Sequence, residues 1–557
     1  MKKRFTSLFI VLFLNLVLYT NYSTAQEVLY IEEFDYAQGE LPPGWVIDAD
    51  QPPEWKVNVS QIAGGVAPEL YLGYGFQVGL SRLVSEPIDI EGHEELSLRY
   101  KQYLINYAAD AGEEVGFDVT FDGGATWQAL WEAPLWLINI PQDEYIYYFK
   151  APTGATEMQF AFRYEGNSNF INGWAIDDII VEAVVDNDLV ARQISGNITP
   201  NVGEAVTYQV EVQNGGKMLQ TDYTIVLRNE NGDDVVSVQG NPIEFSESFI
   251  AMLTWTPSGA DLGSHTFYAE VESNNDEDLS NNTTTEYRIN VQPGDTENIQ
   301  IGTENFPSDD TPFNFASKYS LAQTLYMADE INTSHDFMTG IQYAGYFDED
   351  TEDVEISFYI AETTEEDLED AWVDPSSFTL VYEGTLDFQK GLNSIFIPFD
   401  TNFEYTGKNL VVYNSKGFPE QVLWVGFLST TNLDFFRSRV MFGEDQPFDP
   451  LNPPNGYPRF AIPNVTLFFS SGTMSVIDPT RNNNVVVYPN PVSDILNIQT
   501  TENIREVQVV NSLGQQVLTI NMEGKAQTID LQNLTSGFYL IQILTDNGIT
   551  TKKIHLN

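Results

Sequence analysis

Residues 95–107 read ELSLRYKQYLINY, in which Leu96, Leu98, Tyr100 and Leu104 alternate with Ser97, Arg99, Lys101 and Tyr103. A period of two sends successive side chains to opposite faces of an extended chain, so this stretch predicts a strand with one buried face. EAVTYQVEVQN (204–214), SHTFYAEVES (264–273) and NLVVYNS (409–415) follow the same rule and are rich in Val, Tyr, Phe and Thr, which suit a pleated, half-buried surface. Turn signals such as NGG, NGD, PSG and DNG punctuate the runs. Only TTEEDLEDAW (363–372) predicts a short helix. The fold class that follows is all-β, with tandem β-sandwich domains in series.

The chain has 557 residues, more than one hydrophobic core serves, so three to five domains are expected. It begins MKKRFTSLFIVLFLNLVLYTNYSTAQ, with Lys2, Lys3 and Arg4 before an apolar run to about Tyr19, then Ser23-Thr24-Ala25. That order of charged, apolar and small residues predicts a secretory signal peptide over residues 1–25. The run is shorter than the roughly 18–20 residues that span a bilayer, so no transmembrane helix is expected once it is removed. With no Cys, neither a disulfide nor a cysteine-linked lipid anchor is available. The 81 acidic and 25 basic residues leave a net charge of -56, which repels nucleic acid and anionic lipid.

The C-terminal part carries VVVYPNPVSDILNIQ (485–499), VQVVNSLGQQVLT (507–519), IDLQNLTSGFYLIQIL (529–544) and TKKIHLN (551–557). Tyr488-Pro489-Asn490-Pro491, Gly514, Ser536-Gly537-Tyr539 and Lys552-Lys553 give residues 487–557 a close resemblance to the type A sorting domain of type IX secretion. The resemblance implies a small C-terminal sandwich that addresses the protein to the type IX secretion machinery. The implied location is secreted, or the outer cell surface of a Gram-negative bacterium. Residues 473–486 read as a linker before it.

Residues 26–184 open on IEEFDYAQGELPPGWVIDAD (31–50) and close on FRYEGNSNFINGWAIDDIIVEA (162–183). Glu32-Phe34-Asp35, Pro42-Pro43-Gly44-Trp45, Trp55 and Trp174-Ile176-Asp177-Asp178 resemble the choice-of-anchor J or cleaved-adhesin module, a MAM-like jelly roll of bacterial surface adhesins. Within it, Thr120, Asp122, Gly124, Thr126 and Trp127 have the S/T-x-D-x-G-x-T-W spacing of the sialidase Asp-box. A propeller needs that box once per blade, and here the nearest second match, TDNGITT (545–551), lacks the Trp. The box therefore predicts a single hairpin: Asp122 accepts from turn groups, Gly123 and Gly124 supply positive φ, and Trp127 packs back over the turn.

Residues 186–292, from DLVARQISG to YRINV, resemble a CARDB-type immunoglobulin-like sandwich through Asn214-Gly215, Trp255-Pro257, Gly263, His265 and Asn281-Asn282. Trp255 is expected between its sheets. Residues 296–472 resemble an unnamed β-sandwich of type IX-exported proteins, a likeness that brings a fold and no activity. Its acidic stretch YFDEDTEDVEISFYIAETTEEDLEDAW (346–372) reads as solvated loop and helix face, with cation binding as the alternative. GEDQPFDPLNPPNGYPRFAIP (443–463) has the proline density of a long ordered loop.

Absent residues exclude several chemistries. No Cys means no thiol nucleophile or thiolate metal site, and His93, His265, His335 and His555 stand too far apart for an H-E-x-x-H helix. Six of the nine Trp lie before residue 185, and WQALWEAPLW (127–136) places three of them in ten residues. Trp45, Trp127 and Trp174 read as packing residues. Trp127 and Trp131, four apart on a strand, are expected on one face. Trp131 and Trp136, with Tyr71, Tyr74 and Phe76 from ELYLGYGFQVG, are the ligand-binding candidates, since aromatic faces stack on sugars or dock a partner. The jelly-roll resemblance further implies a structural calcium held by Glu32, Asp35, Asp177 and Asp178. The expected function is adhesin-like and non-catalytic, with an extracellular glycan or protein ligand. The rival is an extracellular hydrolase, or an accessory binding subunit of a polysaccharide- or protein-degrading system, its activity lying in 296–472.

Overall fold

The computed structural model describes residues 26–49, 55–75, 78–106, 112–135, 139–304, 306–422, 425–431, 433–471, 486–488, 492, 495–511, 516–532, 534–535, 537–545 and 548–556. The expected signal peptide, Phe76, Trp136, nearly all of the 473–486 linker and the sorting-domain landmark Gly514 lie outside the described residues. The chain is all-β, built of separate antiparallel sheets in tandem sandwiches.

The first sandwich uses twelve strands. They are β1 (Glu27–Glu32), β2 (Val46–Ala49), β3 (Trp55–Asn58), β4 (Glu69–Gly73), β5 (Val78–Val84), β6 (Ile88–Asp89), β7 (Glu95–Asn106), β8 (Glu114–Thr120), β9 (Gln128–Pro134), β10 (Ile140–Lys150), β11 (Glu157–Asn167) and β12 (Ile171–Ala183). One six-stranded sheet runs β10-β7-β12-β4-β3 with β1 on β12, and the other runs β2-β5-β11-β8-β9 with β6 on β11. Leu96, Leu98, Tyr100 and Leu104 of the alternating stretch point inward against Phe117, Phe160 and Phe162 of the opposite sheet. Trp45, Trp55 and Trp174 are buried in this core, and the Trp174 indole donates to Gln102 Oε1 at 2.9 Å. Burying a polar indole requires such an acceptor, and Gln102 supplies it from the neighbouring strand.

The second sandwich pairs a three-stranded sheet (Leu189–Ser195, Val206–Asn214, Ser248–Trp255) with a four-stranded one (Thr224–Asn229, Asp234–Gln239, Gly263–Glu272, Tyr287–Val291). Trp255 is half-buried and meets Phe267 edge-on, 5.3 Å between ring centroids, at the rim of that core. The third sandwich is larger, with a seven-stranded and a six-stranded sheet enclosing a phenylalanine-rich core that includes Phe313, Phe315, Phe347 and Phe358. The C-terminal unit is one five-stranded sheet whose longest strand, Ile495–Asn511, shifts register between Gln499 and Ile504 and keeps Leu496, Ile498, Val507 and Val509 in one core.

The helix expected over 363–372 does not form. Asp367 accepts from the Phe436 amide at 2.9 Å, the Leu368 amide donates to Phe436 O at 2.8 Å, and the Trp372 indole donates to Pro454 O at 2.7 Å. These anchors, together with like charges one turn apart, hold the segment irregular. The α-helix among the described residues is a single turn, Ala328–Ile331. Among the described residues no helix is long and apolar enough to cross a membrane.

Candidate functional site

Both outer faces of the first sandwich carry ion pairs, most densely buried on one of them. On the β2-β5-β11-β8-β9 sheet, Arg163 is only 7% exposed and bonds Glu114 at 2.5 Å, Glu132 at 3.1 Å and Asp118 at 3.2 Å. Gly116 leaves the room for it, because a Cβ there would stand 2.5 Å from the guanidinium. Arg82 bonds Asp118 at 3.1 Å and lies over the Trp127 ring, 5.4 Å from its centroid. A face laced by its own ion pairs offers little to a ligand.

The Asp-box hairpin closes the end of this sheet as its residues predict. The hydroxyl and amide of Thr126 donate to Asp122 at 2.6 and 2.9 Å, the Thr120 hydroxyl donates at 2.8 Å, and these bonds pull the exposed Asp122 down to about 2. Gly123 and Gly124 have φ of 71° and 88°, and Trp127 packs within 3.5 Å of where a Gly124 side chain would start. All of Asp122's partners belong to the hairpin itself.

Trp131 stands elsewhere than its spacing from Trp127 implies. The β8·β9 register shifts between Phe117 and Asp118, an irregularity that turns Trp131, the partner of Phe117, inward. It is half-buried, packs on the core and lies 6.3 Å from Tyr145, closing the gap between the edge strands of the two sheets. Tyr71 belongs to the opposite sheet, so the structure does not bring Trp131 and Tyr71 onto one surface.

The other outer face carries an aromatic row. Cross-strand register aligns Tyr103, Ala175, Tyr71 and Lys56 across β7, β12, β4 and β3. Tyr71 donates to Asn172 O at 2.9 Å, and the phenol end of its ring lies over Gly173, where a Cβ would sit 1.8 Å from the phenol oxygen. Burial raises its pKa. Tyr74, in the loop after β4, is 47% exposed. Gly173 and Gly73, with no side chains, let the half-buried Tyr71 ring lie close on the sheet.

One end of this row is covered by the third sandwich. Tyr103 and Asn139 both donate to Asp348 Oδ2 at 2.6 Å, and Tyr346 donates to Asn139 O at 3.3 Å. Lys390 donates to Gln142 O at 2.7 Å and lies 2.9 Å from the Asp143 carboxylate. Burial raises the Asp348 pKa against the opposing pull of its donors, and its Oδ1 is buried without a hydrogen-bond partner. Asp348 lies in the stretch expected to be solvated, and this contact was not foreseen.

The four residues implied as calcium ligands occupy two places. Glu32 is buried and accepts from the Phe34 amide at 2.7 Å and the Tyr36 hydroxyl at 3.1 Å, while Asp35 is exposed beside it. Asp177 and Asp178 sit at a register shift in β12, with Asp178 at φ 50° and 2.8 Å from Lys101. Burial pushes Asp177 up to about 7; one carboxylate oxygen accepts from the Asp178 amide and the other, against Gly65, has no donor. Glu69, whose charge also raises Asp177, accepts from the Ile62 and Ala63 amides. Among the described residues no three Asp, Glu or His side chains gather as a metal site, so the four do not form one ligand set.

Residues 486–557 match the family model of the secretion system C-terminal sorting domain. The chain thus carries a type IX secretion address at its C-terminal end, the mark of an exported, surface-directed protein. No curated protein matches the chain. Among solved structures it is similar to the CARDB domain of the PF1109 protein from Pyrococcus furiosus, at 21% identity over 19% of this chain and 96% of that one, with a TM-score of 0.17. It is also similar to the tandem CBM22 domains of Paenibacillus barcinonensis Xyn10C, at 10% identity over 75% and 98% of the two chains and a TM-score of 0.20. A third likeness, to the glycoside hydrolase domain of Endo-D from Streptococcus pneumoniae, has 11% identity over 44% and 36% of the chains and a TM-score of 0.19.

Proposed function

We propose that this is an adhesin-like, non-catalytic binding protein, exported by type IX secretion, whose first sandwich takes an extracellular glycan or protein ligand. The observation that carries the reading is the Tyr71 side chain, seated over Gly173 on the outer face of the β4-bearing sheet, away from the Lys101–Asp178 and Arg99–Glu182 pairs of β7 and β12, with exposed Tyr74 beside it. An aromatic platform of this kind stacks on the apolar face of a sugar or on a partner side chain. Trp131 supports the far edge of the sandwich, between β9 and β10, and Trp136 follows it in the same chain segment.

The reading includes a structural cation at the Asp177–Asp178 end, supported by the buried Asp177 oxygen that lacks a donor. Hard oxygen ligands there would tie β12 to the loop carrying Gly65. Arrays of glycans and matrix proteins, probed with the mature chain in calcium and in chelator, test the proposal. Tyr71→Ala is expected to weaken the bound signal at least tenfold without lowering Tm by more than a few degrees. No binding under either condition refutes it.

A further inference from the structure

The six-stranded sheet of the third sandwich buries Ile356, Phe358, Leu410 and Val412 on its inner face. Its outer face can be read row by row from the register. One row is Thr385, Glu355, Gly417, Tyr319 and Gly443; the next is Glu383, Ser357, Ser415, Leu321 and Met441. In the row after that, Tyr413 is roofed by the proline-rich segment: its hydroxyl donates to Pro450 O at 2.9 Å, and Trp372 and Phe378 pack on its ring. The roof stops there: in the first two rows Leu321 is buried, while the other residues stay half-buried or exposed.

What remains is a trough of about 430 Å³. Ser357, Ser415 and Gly417 form its floor. Tyr319, Pro447 and Phe448 wall one side, with Phe448 seated on Gly443, and exposed Glu355, Glu383 and Thr385 wall the other. Lys416 is turned to the inner face, where it donates to Ser317 O at 2.6 Å, lies 4.9 Å from the centre of the Phe315 ring, and is pushed down to about 8 by burial. Its charge is therefore spent inside, leaving the trough with carboxylates, hydroxyls and rings.

We propose that this trough is a second binding site, for a neutral polysaccharide chain. Two carboxylates and three hydroxyl side chains can accept from and donate to sugar hydroxyls, while Tyr319 and Phe448 offer faces to the ring carbons. Anionic polymers are disfavoured by Glu355 and Glu383 and by the net charge of -56. An added peptide strand is disfavoured too, because the floor belongs to strands Thr351–Thr363, Asn409–Gly417 and Tyr319–Tyr326, each already paired on both sides. This site is separate from the Tyr71 platform and does not rest on it.

Affinity electrophoresis of the mature chain in gels containing mixed-linkage β-glucan, xylan, galactomannan or polygalacturonate tests the proposal. Retardation by at least one of the three neutral polymers and not by polygalacturonate is expected. Ser415→Trp, which fills the trough from its floor, should weaken that retardation at least tenfold, and Glu383→Ala, an exposed change that leaves the floor intact, at least threefold. Tyr71→Ala should leave it unchanged. Three results would overturn the proposal: no retardation by any neutral polymer, retardation that survives both trough variants, or retardation abolished by Tyr71→Ala alone, which would locate the glycan on the first sandwich.

Discussion

Replacing Asp348 by Ala should uncouple the first sandwich from the third. The change removes the acceptor for the Tyr103 hydroxyl and the Asn139 amide, each at 2.6 Å, and leaves both donors at a buried junction. An unsatisfied buried donor costs about 1–3 kcal/mol, so a loss on the order of 3 kcal/mol is expected, or roughly 150-fold in the docking equilibrium. The sign with pH follows from burial, which raises the Asp348 pKa in the docked state above that of the free carboxyl. The docked state therefore binds the proton more tightly; its contribution is complete below the free carboxyl's pKa of about 4 and is lost as pH rises through the docked pKa. Asp348→Asn, which keeps one acceptor oxygen and cannot ionise, should dock with no such slope. Hydrogen exchange of amides 139–146 between pH 5 and 8 reads the opening equilibrium directly. Exchange of the Ala variant within twofold of the parent, or an Asn variant with the parent's pH slope, would refute the reasoning.

Asp177 gives a pH effect of the same sign. With its pKa near 7 in the fold, it favours the native state below about pH 4 and loses that contribution as pH rises through 7. In chelator, Asp177→Asn should therefore be more stable than the parent at pH 8, by up to about 4 kcal/mol, and nearly equal at pH 4, as judged by urea denaturation. Gly173→Val should eject the Tyr71 ring, since the new Cβ would overlap its oxygen; ligand signal on the arrays should fall with Tyr71→Ala, and the near-ultraviolet circular dichroism of the tyrosines should change.

How far the sequence could be read depended on the distance over which each feature is decided. The Asp-box hairpin was fully legible, because Thr120, Asp122, Gly124 and Thr126 bond only within their own turn. The alternation of ELSLRYKQYLINY marked the inward side chains correctly, since the pleat alone decides them. Its outward set also held an unused signal: after Arg99 and Lys101, Tyr103 is a large aromatic where solvent favours charge, and it is the residue the third sandwich covers. The helix reading of 363–372 failed because Phe436, far along the chain, takes the Leu368 amide that a helix would use, while the Phe436 amide and the Pro454 carbonyl hold the Asp367 and Trp372 side chains. Trp131 was assigned to the wrong face by counting, since one register shift in β8·β9 inverts the parity of everything beyond it. Asp348 meets Asn139 from 209 positions away, and nothing local announces that contact.

The Asp348 junction also fixes how the molecule would carry load. A ligand held on the first sandwich and an anchor at the sorting domain would pull on the chain from its two ends. Because the first and third sandwiches touch directly, tension would cross in part at Tyr103, Asn139 and Asp348, sharing the load with the second sandwich, which is held to the first through Tyr148, Val184 and Val190 and to the third through Arg288 with Asp387 at 3.1 Å. When the junction yields, the second sandwich would take the share of the load that the junction had borne. A carboxylate that reads as a docking contact in the static fold would thus act, under tension, as a mechanical fuse.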